Sequence, residues 1–223
     1  MEQKPELVSS KTMAIQIADR IRDDILSRTF QPGSRITVKE IADRYHVSSM
    51  PVREAFNMLC GEQLLSLNPY KGATVMAVTP ELMAQLNDVQ GALESLLVEL
   101  CLQKGYPEGL LDQLDEINQQ IADLDEDGIR LTRNALNAQF HSLEYSPCKD
   151  HMAYALFQRN LNQLHAIRQY QVMKADRVKE TVEEHRLIIK ALRQKDVVSA
   201  VTLAKLHTRN AKYYALTAET YNV

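Results

Sequence analysis

Apolar residues recur along the first stretch of the chain at helical spacing. Within residues 11–28, Ala14, Ile17, Ile21 and Ile25 follow one another at steps of 3, 4 and 4, which predicts an amphipathic helix. Gln31-Pro-Gly-Ser34 reads as a turn. Thr37-Val-Lys-Glu40 then fits a capping box, with the threonine hydroxyl and the glutamate carboxylate serving each other's backbone amides. A short helix to Tyr45 follows, and His46-Val-Ser-Ser49 is a tight connection. A serine cap starts the next helix near Met50, where Pro51 is tolerated because first-turn amides need no intrahelical partner. That helix runs to about Cys60 and closes at Gly61. The period then changes. Leu64–Leu67 and Ala73–Val78 read as short strands around a hairpin turn, Asn68-Pro-Tyr-Lys-Gly72. Helix, short helix, tight turn, helix and hairpin is the order of a winged helix-turn-helix over residues 11–78, preceded by a polar, flexible segment 1–10.

Beyond Val78 the helical period takes over. Thr79-Pro-Glu81 is a helix start, and helices are expected near 80–104, 108–124, 128–145, 149–171, 174–194 and 197–218. The breaks fall at Gly105-Tyr-Pro107, Asp125–Gly128, Ser146-Pro147, Gln171–Ala175 and Lys195-Asp196. The expected fold is mainly α: a winged helix-turn-helix with a small hairpin wing, then an all-α bundle of about six helices over 79–223.

Composition narrows the class. With 45% hydrophobic and 25% charged residues, the chain is an ordinary globular one. No apolar run approaches the roughly 18 residues that span a bilayer, and Met1–Ser10 lacks a signal-peptide stretch, so a cytoplasmic protein without membrane contact is expected. Cys60, Cys101 and Cys148 are scattered without a CxxC pair and read as small buried hydrophobes. The net charge of −3 argues against nucleic acid until its distribution is considered. Residues 1–75 hold ten Lys/Arg against nine Asp/Glu, while the remainder holds sixteen against twenty. The first part is the one that tolerates phosphate.

A helix fits the major groove, and its first residues reach base edges. Ser49–Leu59 is the candidate recognition helix, with Ser48, Ser49, Met50 and Arg53 at its exposed start. Arg53 can pair bidentately with guanine or clamp a phosphate. Lys39 on the preceding helix suits backbone phosphate, and Lys71 at the hairpin tip suits phosphate or the minor groove.

Residues 11–78 resemble the DNA-binding domain of the GntR family of bacterial regulators. The resemblance lies in Ile17-Ala-Asp-Arg-Ile-Arg-Asp-Asp-Ile25, Gln31-Pro-Gly-Ser34, Lys39-Glu-Ile-Ala42, Val47-Ser48, Pro51-Val-Arg-Glu-Ala55 and Gly72-Ala-Thr-Val75. It implies DNA contacts from Lys39, Ser49, Arg53 and Gly72. Many relatives carry Arg and Thr where this chain has Ser49 and Met50, which implies a different operator.

In the second half, Asn137 and His141 project from one helix face, and His185 and His207 lie on the last two helices. Three imidazoles and one oxygen suit Zn²⁺ or a similar ion. Spacing alone favours hydrogen-bonded bundle histidines over a shared site. Residues 80–218 resemble the all-α FCD effector domain of the FadR-type branch, through Leu93-Glu94, Asn137-Ala-Gln-Phe-His141 and Glu184-His-Arg-Leu-Ile-Ile-Lys-Ala-Leu-Arg-Gln-Lys-Asp196. That resemblance implies a divalent metal (Zn, Ni or Mn) on one Asp and three His, with a small organic acid sensed beside it. Here Asn137 replaces the Asp, removing a charge, and Gln90 stands where relatives place an effector-facing Arg, four residues before Glu94. Arg133, one turn before Asn137, is a further pocket candidate.

The expected function is a sequence-specific, dimeric regulator of a pseudo-palindromic operator, a repressor by family habit, tuned by a sugar or carboxylic acid. Two alternatives stand beside it. In one, the helical domain is a dimerisation module without an effector. In the other, the histidines serve a metal-dependent hydrolase, against which stand the missing HExxH motif and the lack of a positioned base, Glu184 pointing elsewhere on its helix.

Overall fold

Thr12 opens the first helix by accepting a hydrogen bond from the Ile15 amide, and α1 spans Met13–Leu26. Its apolar stripe, Ala14, Ile17, Ile21 and Ile25, is buried. The computed structural model describes residues 12–27, 29–62, 64–69, 71–76, 79–124, 130–168 and 175–217. The chain divides into two compact units, Met1–Ala77 and Val78–Val223.

In the first unit, β1 (Arg35–Ile36) is followed by α2 (Val38–Tyr45), α3 (Ser49–Gly61), β2 (Leu65–Asn68) and β3 (Gly72–Val75). The expected capping box at Thr37 and Glu40 is formed in both directions. His46 turns the chain between α2 and α3 in the left-handed region at φ 54°. The core is Ile21, Ile41, Val52, Phe56, Leu59 and Leu64, all at most 1% exposed. Arg22 braces α1 against the end of α3 through a bidentate pair with Glu62 at 2.8 and 2.7 Å.

Two expectations change here. The expected β2–β3 hairpin forms, but β1 joins its β3 edge, so the wing sheet has three antiparallel strands in the order β1-β3-β2. The added strand has only two residues, too few to show an alternation. The last strand ends at Val75, and expected strand residues Ala77 and Val78 lie outside the described residues. The second change is that Ser48 occupies the N-cap of α3 but makes no side-chain cap bond. Pro51 is the third helical residue and has no N–H to donate, which leaves the Ser48 hydroxyl exposed.

The second unit contains α4 (Pro80–Lys104), α5 (Leu110–Asp123), α6 (Arg130–Glu144), a 3₁₀ turn (Ser146–Cys148), α7 (Met152–Arg168), α8 (Ala175–Arg193) and α9 (Val197–Thr217). Thr79 caps α4, Pro80 opens it and Gly105 ends it at φ 88°. His151 falls before α7 rather than on it, and its Nδ1 accepts from the Ala153 amide. The expected break at Gln171–Ala175 begins outside the described residues. One core cluster joins Leu97, Cys101, Tyr145, Phe157 and Ile188, and a second joins Leu110, Leu114, Phe140 and Ile189. All three cysteines are free, with Cys101 and Cys148 buried side by side in the core. Helices α4 and α9 cross closely at Gly91, where an added Cβ would sit 2.8 Å from Thr208 Oγ1.

Candidate nucleic-acid interface and histidine centre

A groove between the recognition helix and the wing is lined by Arg35, Lys39, Arg53, Asn57, Lys71 and Gly72, among others. Val52, Ala55, Phe56 and Leu59 turn one face of α3 to the core, so Arg53 and Asn57 are left outside and exposed. Met50 is 68% exposed at the helix start, beside exposed Ser48 and Ser49. The wing is set by a close backbone approach. Gly72 has φ +89°, and a Cβ there would lie 2.3 Å from the Ile36 carbonyl oxygen. Arg35 donates its Nε–H to the Lys71 carbonyl and so ties β1 to the wing turn. The groove thus gathers Lys39, Arg53, Lys71 and Gly72 on one side of the unit.

In the helical unit, His141 on α6, His185 on α8 and His207 on α9 converge, each with one ligand atom within 4.8 Å of the others. All three are buried. Each ring is oriented by its Nδ1. His207 Nδ1 donates to Glu184 Oε2 at 2.7 Å; Arg177 and Asn210 also bond that carboxylate, which is held down at about 2 against the opposing effect of burial. His185 Nδ1 lies 3.0 Å from Asn118 Oδ1. The Asn118 amide is itself oriented by its Nδ2 donating to the Val182 carbonyl, so its oxygen must face the ring and accept. His185 also stacks on Phe140, at 3.9 Å between centroids. His141 Nδ1 lies 3.2 Å from Glu144 Oε2.

With the Nδ1 atoms so engaged, the Nε2 lone pairs point inward. His141 Nε2 and His207 Nε2 are 3.2 Å apart, and a proton or a cation has to lie between them. Among the described residues, the buried His185 Nε2 has no hydrogen-bond partner. A cation, unlike a single proton, gives all three nitrogens a partner. Two nitrogens held at roughly 2.0–2.1 Å by one tetrahedral ion lie about 3.3 Å apart, close to the separation here. Burial holds the His141 and His185 rings below their usual range, which keeps them neutral and able to ligate. The donor set therefore fits a divalent transition ion.

The other expected site residues are distributed around this centre. Asn137 lines two small adjoining cavities, and His207 lines one of them. Arg133 lines the other and donates to the Leu124 carbonyl. Gln90 and Glu94 are buried behind the rings and are not among the cavity-lining residues. Gln90 donates to Glu94 Oε1 and accepts from Asn160, while Glu94 Oε1 lies 4.0 Å from His141 Nδ1.

Residues 14–75 match the family of bacterial regulatory proteins of the gntR type, and residues 85–210 match the FCD domain. The chain belongs to the GntR family, in its FCD-domain branch. It is a DNA-binding transcriptional regulator. Among relatives, it is 26% identical to the HTH-type transcriptional regulator YdhC of Bacillus subtilis over 83% of each chain. It is 25% identical to the HTH-type transcriptional regulator McbR of Escherichia coli, over 83% of this chain and 84% of that one. The solved structure of Listeria monocytogenes Lar matches its fold with a TM-score of 0.70 at 15% identity, covering 93% of this chain and 98% of the other.

In this GntR-family chain, sequence reasoning placed Glu184 away from the histidines, and the structure corrects that. The carboxylate turns back to grip His207, because His207 arrives on α9 from across the helix pair. Glu144 was missed although it lies three residues after His141 on the same helix face, a spacing that could have revealed it. Asn118 and Arg168 carried no such signal, since they lie on other helices, whereas Arg177 stands two turns before Glu184 on α8, a spacing that could have paired them.

Proposed function

We propose that this regulator is a repressor that binds a pseudo-palindromic operator as a homodimer and changes its grip when a small organic acid enters the helical domain beside a divalent ion. The carrying observation is the trio of buried imidazoles whose ring-turning partners leave three nitrogens facing one point, one of them without a partner among the described residues. His141, His185 and His207 would hold the ion, and Asn137 would offer a neutral carbonyl oxygen in place of a carboxylate. A bound Zn²⁺, Ni²⁺ or Mn²⁺ would supply Lewis-acid positions for a ligand oxygen. In the head, Arg53, Ser49 and Met50 would face base edges, while Ser48, Lys39, Lys71 and the Gly72 amide would meet phosphate. Two heads are needed to reach half-sites about one helical turn apart, roughly 34 Å, on one DNA face. Helix α4 leaves Val89 and Leu96, seven residues apart on one face, exposed and available to a second copy. No helix among the described residues is long and apolar enough to cross a membrane.

The test is elemental analysis of the purified chain after loading with Zn²⁺, Ni²⁺ or Mn²⁺ and dialysis, followed by melting with and without EDTA. About one retained ion per chain, with a lower Tm after chelation, is expected. No retained ion and an unmoved Tm would overturn the metal-dependent reading.

A further inference from the structure

Arg35 stands on the two-residue strand β1, opposite Thr74 of β3. Its neighbour Ile36 is buried, so the alternation of the strand turns Arg35 away from the core and leaves it exposed. The side chain is nonetheless fixed at one edge. Its Nε–H donates to the Lys71 carbonyl, which lays the guanidinium along the wing turn. Among the described residues, Nη1 and Nη2 make no hydrogen bond and no carboxylate pairs with the group. Two other arginines of the first unit are handled differently. Arg22 is held by Asp19 and by both oxygens of Glu62, and Arg44 pairs with Asp24 at 3.0 Å.

Arg35 lines the groove between α3 and the wing, together with Lys39, Arg53 and Lys71, and no Asp or Glu is among the lining residues. Four cations facing one groove without an acid make a field that attracts a polyanion. The guanidinium has two edges that can take a pair of oxygens. With Nε spent on the turn, the end-on pair Nη1 and Nη2 remains, and its spacing matches two oxygens of one phosphate. The strand that carries it cannot withdraw from the wing, because the Ile36 carbonyl is packed against Gly72.

We infer that Arg35 is a phosphate clamp of the wing: its end-on edge holds a backbone phosphate of the duplex while its Nε–H holds the turn that presents Lys71 and Gly72. This rests on the reading above that the groove faces DNA, and adds to it a residue that joins the wing turn to the backbone. Base edges are the province of the helix that enters the major groove, and Arg35 stands on the sheet instead. Phosphate oxygens line the strands on both sides of that groove, within reach of the wing. Lysine at this place would supply the charge without the planar fork.

The test is fluorescence anisotropy of the full-length protein on two short DNA duplexes of mixed sequence, one A·T-rich and one G·C-rich, between about 50 and 200 mM salt. The native chain should bind both, with log K falling linearly against log salt. Arg35→Gln should weaken both duplexes alike, by about three- to tenfold, and reduce the slope by about 1 for each head on the DNA. Arg35→Lys, which keeps the charge, should restore the native slope. Weaker binding with an unmoved slope would make Arg35 a strut of the wing and nothing more, and would overturn the assignment. So would a loss confined to the G·C-rich duplex, which marks a base contact, a slope in Arg35→Lys as low as in Arg35→Gln, or no loss at all. Failure of the native chain to bind either duplex would overturn the placement of the groove on DNA as well. Should Arg35→Gln lower the Tm, Arg35→Thr, a strand former at the same exposed place, carries the same expectation.

Discussion

The two units carry their chemistry in opposite ways. In the DNA-binding unit the side chains that matter stand in water, and the fold's work is to place their backbones. Arg53, Lys39 and Lys71 are exposed, and what positions them is the capping box at Thr37, the Arg22–Glu62 brace and the glycine approach at Gly72. In the helical unit the chemistry is buried, and the His185 and His207 rings are held by partner side chains, Asn118 and Glu184, that are themselves held. The first arrangement tolerates exchange of a reading residue without disturbing the fold. The second cannot change one member without disturbing the others. Residues of the exposed groove can thus change one at a time, while those of the histidine centre are constrained together.

The largest expected effect tests the cross-bracing directly. His207→Ala should cost more than 100-fold in zinc affinity, beyond the 10–100-fold typical of removing a ligand's outer partner. Glu184 would keep Arg177 and Asn210, so the fold is not left with a stranded charge. Equilibrium dialysis against a zinc indicator reads the loss, and ion-free operator affinity should not move. Asn118→Leu removes only the partner of His185 and should cost 10–100-fold on the same measurement. An unchanged affinity would show that the ring needs no turning.

On the other side of the comparison, Arg53→Ala should weaken specific operator binding by about 1–3 kcal/mol, measured by fluorescence anisotropy, and leave zinc affinity alone. Smallest is Lys71→Ala, which should weaken all DNA sequences alike and reduce the slope of log K against log salt by about 1. A sequence-dependent loss there would move Lys71 from phosphate to base contact.

The same contrast governs what the amino-acid order reveals. Local chemistry is legible. Thr79, Pro80 and Gly105 bound α4 at the expected residues, and the box at Thr37 forms as its spacing requires. The two-residue strand at Arg35–Ile36 is not legible, because it exists only through pairing with β3. Ser48 takes the N-cap position that its residue type suggests but makes no side-chain cap bond, and the residue that withholds the amide, Pro51, lies three places on. In the helical unit the three histidines stood out by type, and their convergence was suggested only by likeness to a family. Asn118 lies 67 residues from His185, and Arg168 lies 81 from Asn87. No period or spacing connects such pairs. Only the packing of α5 on α8, and of α4 on α7, brings them together.

Helices α4 and α9 touch at Gly91, where the absent side chain lets Thr208 come close, and Thr208 directly follows His207 in the chain. A single methyl group there, as in Gly91→Ala, would act as a wedge one residue from the buried His207 ring. The distance across the histidine centre is therefore adjustable from outside it.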